Sequence, residues 1–144
     1  MVAREVADAI RMIYAGPHVV AFMPICARYS YEVWIAPHRR VPSFAALNSD
    51  ERRDFACALK TVLLKFDGLW HTAFPYILAF DQAPTDGAPH PAAHLRAEFY
   101  PAYRMPGRLK YLAGSEIGAG VFTADTVPED KVKELQRVEV NIDA

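Results

Sequence analysis

One helical period sits in the middle of a chain that otherwise reads as strands, and it constrains the fold more than any other feature. Phe55, Leu59, Val62, Phe66 and Leu69 recur at helical intervals, with Gly68 near the end of the run. Asn48 and Glu51 stand at capping-box spacing ahead of it. Strand-like runs lie on both sides. His18–Met23 is apolar on both faces, as a buried central strand would be, and Tyr31–Ala36 alternates before Pro37. The Pro24–Ser30 link suits a hairpin, making these two strands antiparallel neighbours. After the helix, Pro75–Phe80 reads as a strand, Gln82–Pro91 as a Pro/Gly-rich loop, His94–Tyr100 as an alternating strand and Leu109–Ala113 as a further one. An amphipathic helix is expected over residues 3–14, ended by Gly16-Pro17, and a last helix opens at Thr126-Val-Pro-Glu129 with Thr126 as its cap. Val132 and Leu135 are expected to face inward. The pattern is that of an α+β chain with a largely antiparallel sheet, and 144 residues suit a single domain over 1–144.

Charge and composition exclude several functions. A formal net charge of −1 gives no sequence-independent attraction for a polyanion, so no nucleic-acid partner is expected. No stretch is long and apolar enough to span a bilayer, and residues 1–15 lack a signal-peptide core, so no membrane partner and a cytoplasmic location are expected. Cys26 and Cys57 are far apart and form neither a zinc signature nor a disulfide framework; Cys57, within the helical run, reads as a packed core thiol.

The strand His94-Leu-Arg-Ala-Glu-Phe-Tyr100 carries the most chemistry. Alternation puts His94, Arg96, Glu98 and Tyr100 on one face and Leu95, Ala97 and Phe99 on the other. A solvent-facing sheet with a cross-strand Arg/Glu pair accounts for such a face on pattern alone. A site face for phosphate or metal is the functional alternative.

Three segments in order resemble one family. Pro75-Tyr-Ile-Leu-Ala-Phe-Asp-Gln-Ala-Pro84, then His94-Leu-Arg-Ala-Glu-Phe-Tyr-Pro101, then Leu109-Lys-Tyr-Leu-Ala-Gly-Ser-Glu116 look like the C-terminal half of the galactose-1-phosphate uridylyltransferases. Ala21-Phe-Met-Pro24, Tyr31-Glu32 and the helix with Leu59-Lys60 and Phe66-Asp67 fit in the same order. The resemblance implies a histidine-triad-like (HIT-like) half-barrel of mainly antiparallel strands with flanking helices. It also implies a two-step transfer of UMP between UDP-glucose and galactose 1-phosphate. A histidine in a His-Pro-His segment of the N-terminal half attacks the α-phosphorus and is later relieved of UMP by the hexose phosphate.

None of the five histidines here stands in His-Pro-His, and the middle of the His-x-His-x-His position is Arg96, which stays protonated and cannot attack. No catalytic residue is therefore expected in this chain. The resemblance places a structural metal at the positions of Asp81, Arg96 and Glu98. Arg96 brings a cation to a ligand position, so pairing with Asp81 or Glu98 is expected, with no bound metal and no other cofactor; Asp81, His94, Arg96 and Glu98 form a vestigial site face. Substrate contacts carried over are Lys110 to a phosphate, Ser115 and Glu116 to sugar hydroxyls, and Ala113 through its backbone, directed to a neighbouring subunit's site. Lys110 and Glu116 are expected at an exposed strand end, with Gly114, Gly118 and Gly120 allowing close backbone approach. The partner expected is a separate chain carrying the N-terminal half, with UDP-glucose and galactose 1-phosphate bound in an oligomeric complex. A non-catalytic HIT-like binding or scaffolding remnant is the alternative. An independent HIT-type nucleotide hydrolase is opposed directly by Arg96.

Overall fold

Apolar runs too short to bury themselves need a common partner, and here it is the central helix. The computed structural model describes residues 1–124 and 126–142. In chain order the elements are α1 (Val2–Asp8), β1 (Met12–Ala15), β2 (Val19–Phe22), β3 (Val33–Pro37), α2 (Ser49–Trp70), β4 (Tyr76–Asp81), β5 (Arg96–Pro101), β6 (Tyr103–Met105), β7 (Arg108–Leu109), α3 (Gly114–Ala119) and α4 (Pro128–Gln136). Five strands make one open antiparallel sheet in the order β1-β2-β3-β5-β4, and β6 and β7 make a separate two-stranded ribbon.

The capping box holds α2 at its start. Glu51 N donates to the Asn48 side chain at 2.9 Å, and Asn48 N donates back to Glu51 at 2.9 Å. Phe55, Ala58, Val62 and Phe66 of this helix pack on Ala21, Val33, Ile35, Ala97 and Phe99 of the sheet. Phe66, Phe74 and Phe99 form ring contacts at 4.9 and 5.6 Å. Val132 and Leu135 of α4 close the core from the side, and Lys65 Nζ donates to the carbonyls of Leu135 and Val138 at 3.0 and 2.6 Å. Among the described residues no helix is long and apolar enough to cross a membrane.

Four local expectations change. The helix expected over residues 3–14 stops at Asp8, where Ala9 turns into the left-handed region (φ 54°), and residues 12–15 become edge strand β1 against β2. There the backbone bonds to β2 prevail over the helical spacing of the side chains. Only Arg108–Leu109 of the run expected as a strand to Ala113 is strand, and Gly114–Ala119 is a helix ended by Gly120 at φ 66°, not an open turn. Val127 rather than Thr126 caps α4, with no side-chain bond. Cys57 is half-buried beside the core rather than packed within it.

Candidate functional site

Register brings the polar face together. Antiparallel pairing sets Asp81 of β4 opposite Arg96 of β5, and Glu98 between Ala79 of β4 and Trp34 of β3. Arg96 uses both directions of its fork. Its Nε donates to Glu98 on its own strand, and its Nη2 donates across the ladder to Asp81. Tyr100 OH donates to the other oxygen of Glu98 and accepts from Arg28 Nη2 at 2.7 Å. The Arg96 guanidinium lies 5.0 Å from the centre of the Trp34 ring. Burial acts to raise the Glu98 carboxyl, but the bonds from Tyr100 and Arg96 hold it below the ordinary carboxylate range. Burial and the Glu98 carboxylate together push the Tyr100 phenol up, so it stays a donor.

Arg28 comes from the β2–β3 loop, where Glu32 is fully buried and accepts from Arg28 N, Tyr29 N and Trp34 Nε1 at 2.7, 3.3 and 2.9 Å. Burial raises its carboxyl despite these donors. These groups line a concavity of 580 Å³ on the sheet. His94, expected on the same strand face, lies just before β5, and its Nε2 donates to Pro37 O at 2.8 Å. Burial lowers its pKa, so the ring is neutral near pH 7.

The residues present do not fit the metal that the resemblance implies. A guanidinium has no lone pair to give, it repels a second cation, and it already bonds both carboxylates. Among the described residues no group of three His, Cys, Asp or Glu side chains is placed to hold a metal ion.

The second cluster corrects an expectation. Lys110 and Glu116 do not stand at an exposed strand end. Their side chains are 4% and 1% exposed and pair at 2.9 Å. Lys110 Nζ also donates to Thr123 O at 2.9 Å, while Ala113 N and Thr123 N donate to Glu116 at 2.7 and 3.3 Å. The Lys110 bond, with that of Ala113, holds the Glu116 carboxyl down at about 2. A six-residue helix forms because Glu116 satisfies the free amide at its start. Ser115 is exposed on α3. The apolar neighbours point outward instead: Tyr111 is 84% exposed, Ile117 74% and Val121 60%.

Tyr29 joins the clusters, with its ring 6.0 Å from Lys110 Nζ and 5.7 Å from the Tyr100 ring. Arg28 and Tyr29 were missed by motif reasoning, and Glu32 entered it only as part of the Tyr31-Glu32 pair, with no site role; the signal available was a charged, aromatic loop between two apolar strands.

Residues 1–139 match the family model "Galactose-1-phosphate uridyl transferase, C-terminal domain". The chain belongs to the galactose-1-phosphate uridylyltransferase family. A galactose-1-phosphate uridylyltransferase of Thermotoga maritima is 37% identical over 134 residues, which cover 92% of this chain but 42% of that protein. The Haemophilus influenzae uridylyltransferase is 31% identical over 81% of this chain and 34% of its own length. A solved uridylyltransferase mutant superposes with a TM-score of 0.87 at 34% identity, covering 96% of this chain and 46% of that one. The chain thus spans less than half the length of the uridylyltransferases it matches. A HIT-like protein from Bartonella henselae shares the fold at a TM-score of 0.62 and 13% identity, covering 96% of this chain and 95% of its own. The α+β, HIT-like class is therefore the fold, with the sheet open rather than closed into a barrel.

Proposed function

We propose that this chain is the C-terminal component of a hexose-1-phosphate uridylyltransferase that moves UMP between UDP-glucose and galactose 1-phosphate. A separate chain carrying the N-terminal half supplies the nucleophilic histidine. The observation that carries this reading is the match to the C-terminal family domain over residues 1–139, combined with Arg96 at the central histidine position. An arginine bonded to two carboxylates cannot attack phosphorus.

Two surfaces support a partner. Strand β4 is an open sheet edge whose Tyr76, Ile77 and Phe80 are 41%, 68% and 45% exposed. At the opposite edge, Gln136 of α4 donates to Met12 O of β1 at 2.8 Å. The ribbon, α3 and the segments flanking α3 present Met105, Leu109, Tyr111, Leu112, Ile117 and Val121 to solvent. In the assembly, Lys110 meets the hexose phosphate, Ser115 and Glu116 meet sugar hydroxyls and Ala113 offers backbone. Engagement then requires this arm, residues 110–123, to exchange its internal bonds for bonds to substrate.

The test is reconstitution. Mixed with a His-Pro-His half, the chain should co-purify and restore transfer. Incubated alone with radiolabelled UDP-glucose, it should carry no acid-labile label. Stoichiometric label on His94 would show that the chain has its own nucleophile and would end this reading.

A further inference from the structure

The strand pair β4–β5 concentrates charge at one place. Asp81 ends the edge strand and Glu98 lies on its neighbour, with side chains 48% and 5% exposed. Two carboxylates gathered on one sheet face need a cation, and the buried one needs it most, because an unpaired buried charge is costly. Arg96 stands between them in both sequence and space, donating to each from a different nitrogen. Its guanidinium carbon lies over the Trp34 ring, 5.0 Å from the ring centre. Tyr100 takes the remaining oxygen of Glu98, and Arg28 at 2.7 Å holds Tyr100. Every member of the cluster is thus oriented by another, and the chain runs from the edge strand to the β2–β3 loop.

We propose that the Arg96 guanidinium is the resident cation of this sheet edge, clamping Asp81 and Glu98 at the position where the family resemblance implies a metal, so that the chain holds β4 onto β5 without an ion. A lysine does this job poorly, since a single ammonium lacks the two-directional fork. A histidine placed there brings a lone pair between two carboxylates and converts the clamp into a ligand set for a divalent transition metal.

The experiment uses the full chain, purified without added metal, and reads metal content by elemental analysis and unfolding by calorimetry with and without EDTA. The wild-type chain should hold far less than one ion, and EDTA should leave its Tm unchanged. Arg96→Gln should lower Tm by at least about 5 °C, the size expected in a chain of this length when one partner of a well-ordered pair is lost. Arg96→Lys should fall between the two. Arg96→His should take up about one zinc per chain, with its Tm raised by zinc and lowered again by EDTA. If Arg96→Gln does not fold, Asp81→Asn reads the same clamp from its exposed end and should lower Tm without creating sensitivity to EDTA. A full equivalent of metal in the wild-type chain, with a Tm that falls on chelation, would overturn the proposal. So would an unchanged Tm in Arg96→Gln, and so would an Arg96→His chain that takes up no zinc.

Discussion

Replacing Arg11 by methionine tests how the N-terminal helix is held. Arg11 Nε and Nη2 lie 2.9 and 2.7 Å from Glu5 Oε2, with side chains 4% and 2% exposed, and Nη1 reaches Glu129 of α4 at 2.5 Å. Glu5 Oε1 already accepts from Ile25 N at 3.0 Å. Methionine keeps the apolar stem of Arg11 but strands the second oxygen of Glu5 away from water. Losing one partner of a buried pair costs about 3–5 kcal/mol. Glu129 is 30% exposed and recovers its hydration cheaply. The expected outcome in urea unfolding is therefore a loss of about 3–5 kcal/mol at pH 7. Adding Glu5→Gln to Arg11→Met should restore more than half of that loss. A deficit below about 1 kcal/mol, or one that Glu5→Gln does not relieve, would refute the reasoning.

Two further outcomes follow from the caps and the arm. Asn48→Ala should cost about 1 kcal/mol in the same assay and Asn48→Gly only a few tenths, because the side chain accepts from Glu51 N at 2.9 Å. Lys110→Ala and Glu116→Gln should each speed amide exchange across residues 113–121 in the isolated chain. The depressed Glu116 carboxyl contributes stability present above the ordinary carboxyl range and lost as pH falls towards about 2, so wild-type protection in this segment, taken relative to the intrinsic exchange rate at each pH, should fall over that acid window while that of Glu116→Gln stays flat.

Much of the fold was legible because short-range rules agree there. The Asn48–Glu51 box, the α2 apolar stripe and the alternation through Leu95, Ala97 and Phe99 each specify local geometry, and the core follows. The pairing of Arg96 with Asp81 or Glu98 was an expectation of the resemblance; alternation put Arg96 and Glu98 on one face, while the register that sets Asp81 opposite Arg96 comes from the structure. Residues 9–15 were not legible, because Met12–Ala15 is strand only through its bonds to β2. The arm was misread because α3 is too short to show a period, and its stabilising residue, Glu116, bonds Thr123 seven residues on. The Arg11–Glu129 contact joins positions 118 apart, a distance that no local pattern reports.

The bare edge at β4 has a cost for handling the chain. Tyr76-Ile-Leu-Ala-Phe80 contains no charge and no proline; Pro75 and Asp81 guard only its two ends. Such a strand recruits any extended apolar segment it meets, including one from a half-made copy of itself. Yield should therefore depend on timing. The chain produced by itself should partition towards insoluble material as expression rises, and simultaneous translation of a partner that covers this edge should return it to the soluble fraction.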